Sequence, residues 1–234
     1  MSRAVDILRP WLAPIFRCLR APSRTARALI SPLARGSLHK CRIALEAAES
    51  HFLPFAAIES FPHWNESLIV TYADAAGDGE YEGMGFWFVL GDSCFLFCAK
   101  WLVGEKRVLI HAREAFISTC ALISTHLHAP SRLFVLEYTD NTPTEFVHDS
   151  QASRCPLLQH IIEARGDFLD ASGLCVLPQR VKSKDNRWAD MLSRGHWKAV
   201  LAEVVRRGLR PVWVDMPRDA QVLRASLASL ANVV

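Results

Sequence analysis

The chain alternates between two kinds of hydrophobic pattern. From residue 5 to about residue 60 the apolar positions recur at helical spacing. Leu38, Cys41, Leu45 and Ala48 in Ser37–His51 are the clearest case. Phe52–Asn65 carries aromatics and two prolines and reads as a connector. From Ser67 the runs become short, β-branched and aromatic. Ser67–Ala73, Gly85–Leu90 and Cys94–Trp101 predict three strands joined by the Gly- and acid-rich turn at Ala75–Gly83 and the tight pair Gly91-Asp92, an antiparallel meander. A helix over 112–127 follows, and then a strand over Arg132–Thr139. Helices over Thr144–Asp149 and Pro156–Arg165, a strand over Leu174–Leu177 and a helix over Asn186–Arg194 come next. The tail adds a helix over His196–Arg207, a short strand near Pro211–Asp215 and a helix over Arg218–Ala231. Strands joined by hairpins are antiparallel and strands separated by helices parallel, so the pattern predicts an α/β protein with a mixed sheet. It divides into a helical region at 1–64, an α/β domain at 65–195 and a helical extension at 196–234.

Composition changes this picture only in places. Half of the 234 residues are hydrophobic, enough for a sizeable core, and the formal charge of +3 neither requires nor opposes a nucleic-acid partner. The charge is unevenly spread: before Glu46 the only acid is Asp6, against nine Arg and Lys residues. That N-terminal stretch reads either as an organelle transit peptide or as a helical region of a nucleic-acid enzyme. Pro10, Pro14, Pro22 and Pro32 cut it into short helices and favour the second. The seven cysteines are scattered without close metal spacing, which predicts free thiols, a reducing compartment and an intracellular site in nucleus or cytoplasm. His126 and His128 read as a helix-end surface, and no apolar run is long enough to span a bilayer.

Four carboxylates carry the candidate chemistry. Asp74 and Asp140 each end an apolar strand, Glu114 opens the helix after the third strand, and Asp190 lies on the last helix of the α/β region. Any one of them, taken alone, reads as a solvated surface acid. Neighbouring strand ends lie side by side, however, so Asp74 and Asp140 can stand together, with Glu114 and Asp190 leaning over the same edge. Clustered carboxylates repel unless a cation joins them. Mg²⁺, with Mn²⁺ as the alternative, is the hard ion that such oxygens suit, and a pair of ions supports phosphodiester hydrolysis. If the first strand boundary is misplaced, Asp78 takes the place of Asp74.

Thr71-Tyr-Ala-Asp-Ala-Ala-Gly, the helix start Arg113-Glu114-Ala, the strand end Thr139-Asp140-Asn141 and the run Asn186-Arg-Trp-Ala-Asp190-Met-Leu-Ser-Arg-Gly195 together resemble the ribonuclease H domain of retroelement reverse transcriptases, DIRS-like elements above all. The resemblance spans about residues 66–195. It implies a ribonuclease H-like fold with a five-stranded sheet in order 3-2-1-4-5. It also implies that Asp74, Glu114, Asp140 and Asp190 bind two Mg²⁺ and cut the RNA strand of an RNA–DNA hybrid. By the same likeness residues 1–64 correspond to a thumb or connection region. No Tyr-x-Asp-Asp palm motif occurs, so the chain resembles a fragment or domesticated remnant whose polymerase palm would sit on another chain. One departure concerns the loop before the last acid, where family members often carry a His and this chain has Arg180. Arg stays charged and cannot shuttle protons, though it can hold a phosphate. Arg180, Lys182, Asn141 and Asn186 are the expected substrate contacts. Lys182 and Lys184 also read as solvated, Asn141 as a turn residue and Asn186 as a helix cap. Trp87, Trp101 and Trp188 read as core more readily than as stacking platforms. The alternative to a nuclease is a catalytically inactive nucleic-acid-binding or assembly module that keeps the fold. A strand transferase fits less well, because such enzymes commonly end their acid set on a Glu.

Overall fold

The computed structural model describes residues 68–231 except Gly79, Arg132, Leu133 and Gln151. The expected helical region at 1–64 lies outside the described residues. The described elements are strands β1 (Leu68–Ala75), β2 (Gly83–Leu90), β3 (Ser93–Lys100), β4 (Phe134–Thr139), β5 (Cys175–Arg180) and β6 (Arg210–Trp213). The helices are α1 (Ile110–His128), α2 (Thr142–Ser150), α3 (Pro156–Ser172), α4 (Arg187–Ser193), α5 (Trp197–Arg206) and α6 (Arg218–Ala231).

The strands form one mixed sheet in order β5-β4-β1-β2-β3-β6. β1, β2 and β3 are the antiparallel meander, and β4 and β5 add in parallel beside β1. The first five strands therefore stand in the expected order, and the fold class is the expected mixed α/β one. The sheet differs in its sixth strand: β6 pairs in parallel with β3. Residues beyond 196 thus contribute to the sheet as well as helices.

Alternation sends the two faces of the sheet to different helices. Ile69, Ala73, Phe86, Phe88 and Phe97 pack against Ala112, Phe116, Ile117 and Cys120 of α1, Leu158 and Ile161 of α3, and Leu223 and Leu227 of α6. On the other face Cys94, Leu96, Trp87 and Val89 meet Trp188 and Leu192 of α4 and Val200 and Val204 of α5. The three tryptophans expected as core are core or packed against it. On the β1-β4-β5 half of that second face Val70, Tyr72, Leu136 and Tyr138 are half-buried and Leu177 is exposed. Cys94, Cys98, Cys120, Cys155 and Cys175 are free thiols.

Two elements run further than their patterns predicted. α3 continues about two turns past Arg165. It ends at Gly173, which takes a left-handed conformation (φ 67°) and donates its N–H to the Leu169 carbonyl. Gly166 is buried inside the helix. β5 passes through Pro178 to Arg180, and Pro is tolerated because β5 is an edge strand.

One ionic group ties three elements together. Glu137 of β4 is buried and accepts two hydrogen bonds from Arg165 of α3, at 2.9 and 2.7 Å. Nδ1 of His148 on α2 lies 3.1 Å away. Burial alone would raise the Glu137 pKa, but Arg165 and then His148 hold it down at about 2. Burial also lowers the His148 pKa from 6.5. Both shifts have the same sign: the acid form is disfavoured in the folded state, so stability is lost on acidification. Glu137→Gln leaves Arg165 buried without its counter-charge and is expected to cost about 3–5 kcal/mol in urea unfolding at pH 7. Because the Glu137 contribution is present above its ordinary value of 4.5 and is lost as pH falls toward about 2, the gap between variant and wild type narrows below pH 4.5.

Candidate metal centre and cleft

Parallel pairing of β1 with β4 sets the site. Tyr72 is in register with Tyr138, so the chain segments just beyond them, carrying Asp74 and Asp140, run side by side. Asp74 lies within β1, opposite Gly85 of β2. Glu114 comes from the first turns of α1, which crosses the β1 face. One carboxylate oxygen from each of Asp74, Glu114 and Asp140 lies within 4.8 Å of the others. Asp74 and Glu114 are buried and Asp140 is partly exposed. Asp78, the alternative to Asp74, stands outside this trio and is exposed.

The trio opens onto a cleft of about 530 Å³, whose lining includes Asp78, Arg113, Asn141, Ser183, Asp190 and Arg194. Asp190 therefore faces the same space but is not brought into the trio. Its carboxylate accepts a 2.7 Å hydrogen bond from Arg194, which also reaches Asp78 at 3.1 Å.

Burial and like charge dominate the electrostatics. Burial pushes the Asp74 carboxyl up to about 6. A hydrogen bond from Ser193 opposes the shift, while Asp140 and Asp190 add to it. Burial likewise raises Glu114 well above the ordinary Glu value, and the Asp74 and Asp140 charges push the same way. A backbone hydrogen bond at Ala75 and the Arg113 charge oppose that shift. Oε2 of Glu114 is buried without a hydrogen-bond partner. An orphaned carboxylate oxygen in an all-oxygen donor set fits a hard divalent cation: it supplies the acceptor and the negative charge that such an ion satisfies. The donor set does not itself distinguish Mg²⁺ from Mn²⁺.

Supporting contacts come from residues to which the sequence assigned no separate role. The Ser193 hydroxyl donates to Asp74 Oδ2 and also lies 2.9 Å from the Asp190 carbonyl. Ser193 reaches Asp74 because Gly85 lets α4 lie directly on β2: a Cβ at Gly85 would stand 2.4 Å from Leu192 Cβ. Arg113 lines the cleft wall next to Glu114, and burial lowers its pKa while Glu82 and Glu114 oppose that shift. Sequence spacing cannot report such approaches, since they join positions far apart in the chain.

The expected substrate contacts are placed differently from one another. Asn186 is fully buried. Its amide donates to the Ala73 carbonyl at 3.1 Å and to Asp140 at 3.4 Å, so it braces the β1 and β4 ends from within. It stands at the N-cap position of α4 but makes no capping side-chain bond. Asn141 Oδ1 accepts from the Thr144 N–H and hydroxyl, the helix-start role for α2, while the residue also lines the cleft. Arg180 ends strand β5, exposed, with its backbone N–H on Glu145, and is not among the cleft-lining residues. Lys182 is exposed in the following turn, where its carbonyl accepts from Asp185 and Asn186. Neither takes the place of a cleft histidine. His126 and His128 close α1 and belong to no metal-ligand group among the described residues.

The raised pKa of Asp74 has a definite sign. Without a cation the folded state favours the protonated acid, so this site's contribution to stability falls as pH rises from 3.8 through about 6. Metal-free wild-type protein is therefore expected to lose Tm relative to Asp74→Asn over that range. At pH 7, Mn²⁺ at about 100 times its Kd restores wild type by roughly 5–10 °C and leaves Asp74→Asn nearly unmoved. Parallel pH profiles with no response to cation would contradict the assignment.

No family model matches the chain, and no curated protein sequence matches it significantly. Among solved structures the fold is similar to the crystal structure of RNase H1 from the halophilic archaeon Halobacterium salinarum NRC-1. The TM-score is 0.42 at 15% identity, over 53% of this chain and 93% of that one. Similarity at that level transfers no residue role.

Proposed function

We propose that the protein is a metal-dependent endonuclease that cleaves the RNA strand of RNA–DNA hybrids and descends from a retroelement polyprotein. The observation that carries this reading is the meeting of Asp74, Glu114 and Asp140, from three separate elements, in an open cleft with two of them buried. Burying like charges is costly, and a fold maintains such a cluster when a cation repays the cost. A divalent cation held there would activate a water and stabilise the leaving oxygen of a phosphodiester.

The chain's own residues do the positioning. Asn186 holds the β1 and β4 ends together through Ala73 and Asp140, and Ser193 orients Asp74. Asp190 supplies a fourth acid at the cleft edge, held by Arg194 until substrate and cation compete for it. Asn141 and Ser183 offer polar groups on the cleft wall to the ribose 2′-hydroxyls that distinguish an RNA strand from DNA. Residues 65–195 would form the catalytic unit. On this reading the residues after 195 support that unit, through the β6 pairing with β3 and the α6 residues in the core.

The second reading is a nucleic-acid-binding module without catalysis. The placement of Arg180 favours it, because no histidine lines the cleft among the described residues.

Incubation of the full chain with an end-labelled RNA–DNA hybrid in Mg²⁺ or Mn²⁺ separates the two. The nuclease reading predicts cleavage of the RNA strand only, lowered about a thousandfold in Asp74→Asn and Asp140→Asn. Binding without cleavage in either ion, by protein shown to be folded, would overturn it in favour of the module.

A further inference from the structure

Among the described residues two cations line the acidic cleft, Arg113 and Arg194. Arg194 is exposed and committed to Asp190 and Asp78. Arg113 is not. It is only 6% exposed, yet its Nε and Nη1 are buried without a hydrogen-bond partner. Its nearest counter-charge is Glu82, 3.9 Å from Nη1, and Glu82 is shared with Lys106 at 3.5 Å. The guanidinium stands 5.6 Å from the Trp101 ring centroid, which backs it on the apolar side.

Such an arrangement is expensive. A buried guanidinium with unmet donors is destabilising compared with an apolar side chain of similar volume. Leu or Met would fill the same space against Trp101 and Phe116 at no such cost. The third nitrogen, Nη2, lies beside Gly77 on the cleft wall. A Cβ at Gly77 would come within 2.8 Å of Nη2, so the glycine leaves that nitrogen without a covering side chain at the cleft wall. A guanidinium with unmet donors at the wall of a cleft is suited to an oxyanion, and Arg prefers phosphate oxygens.

We propose that Arg113, uncovered at Gly77, binds a phosphodiester oxygen of the nucleic-acid strand lying in the cleft. The inference rests on the nucleic-acid reading of the site and deepens it. Arg113 fixes one backbone phosphate next to the acid trio and offsets the repulsion between those carboxylates and the strand. Because the contact is to phosphate, it sets register and affinity and carries no sequence preference.

The test uses the full chain and a fluorescein-labelled RNA–DNA hybrid, with anisotropy read across a KCl series and Tm recorded for every variant. Arg113→Gln is expected to weaken binding about tenfold and to reduce the salt slope by about one charge. Arg113→Lys, which keeps the charge but loses the fork, is expected to fall between. Gly77→Ala, which keeps the guanidinium but covers it, is expected to lose affinity as Arg113→Gln does. Hybrids in which one phosphate at a time is replaced by a neutral methylphosphonate sharpen the result. Wild type loses affinity at one position, and Arg113→Gln is indifferent there.

If Arg113 served only as counter-charge to Glu114 and Glu82, Arg113→Gln would tighten Mn²⁺ binding and leave hybrid affinity and salt slope unchanged. That outcome in folded protein overturns the inference while leaving the nuclease reading intact. Should Arg113→Gln fail to fold, unchanged binding in both Arg113→Lys and Gly77→Ala overturns it equally. A wild-type chain that does not bind the hybrid at all sinks both proposals together.

Discussion

The structure depends on a repulsion that it holds in place. Asp74, Glu114 and Asp140 are like-charged groups within a few ångströms of one another, and two of them have left water. Left to themselves such groups would protonate or move apart. Here each is fixed by a different and stiff part of the fold. β1 is locked on both sides by β2 and β4, α1 lies across the buried core, and Asn186 spans Ala73 and Asp140. The opposing forces, burial and mutual repulsion against a hydrogen bond from Ser193 and the Arg113 charge, leave Asp74 and Glu114 with raised pKa values, a balance that a divalent cation would reverse.

The scaffold around the site relies on the same means with opposite balance. Glu137 sits one strand away, equally buried, but with Arg165 and His148 around it, and it is held as a stable anion. The contrast between Glu137 and Glu114 shows what a carboxylate becomes in this interior with and without a cation supplied by the protein. The Glu105–Arg224 pair, at 2.5 Å, does for α6 what Arg165 does for α3, pinning a C-terminal helix to the turn before α1. The tail beyond 196 is thereby joined to the core that positions Glu114.

Much of this was legible in the sequence, and the parts that were not share a cause. Short apolar, β-branched and aromatic runs bounded by turns located β1 through β4 and the meander, and the parallel and antiparallel pairings followed from connection length. The strand-end placement of Asp74 and Asp140 was visible because strand ends that share a sheet edge must adjoin. Local punctuation misled where tertiary packing overrode it. The helix expected over Pro156–Arg165 runs on through the buried Gly166, and the strand expected over Leu174–Leu177 runs on through Pro178 on an open sheet edge. What no pattern carried were the contacts made possible by missing side chains. Gly85 lets α4 bring Ser193 to Asp74, and Gly77 makes room for Nη2 of Arg113 at the cleft wall. Asn186 lay in the motif, yet its role turned out to be internal bracing, because burial and partner choice depend on elements far away in the chain.

The central claim is that the acid trio is a divalent-cation site. Anomalous diffraction from crystals grown with Mn²⁺ tests it most directly. The account predicts a strong anomalous peak bridging Asp74, Glu114 and Asp140, at about 2.0–2.2 Å from a carboxylate oxygen of each. Converged carboxylates with no peak between them, at Mn²⁺ concentrations that label other sites, would contradict it.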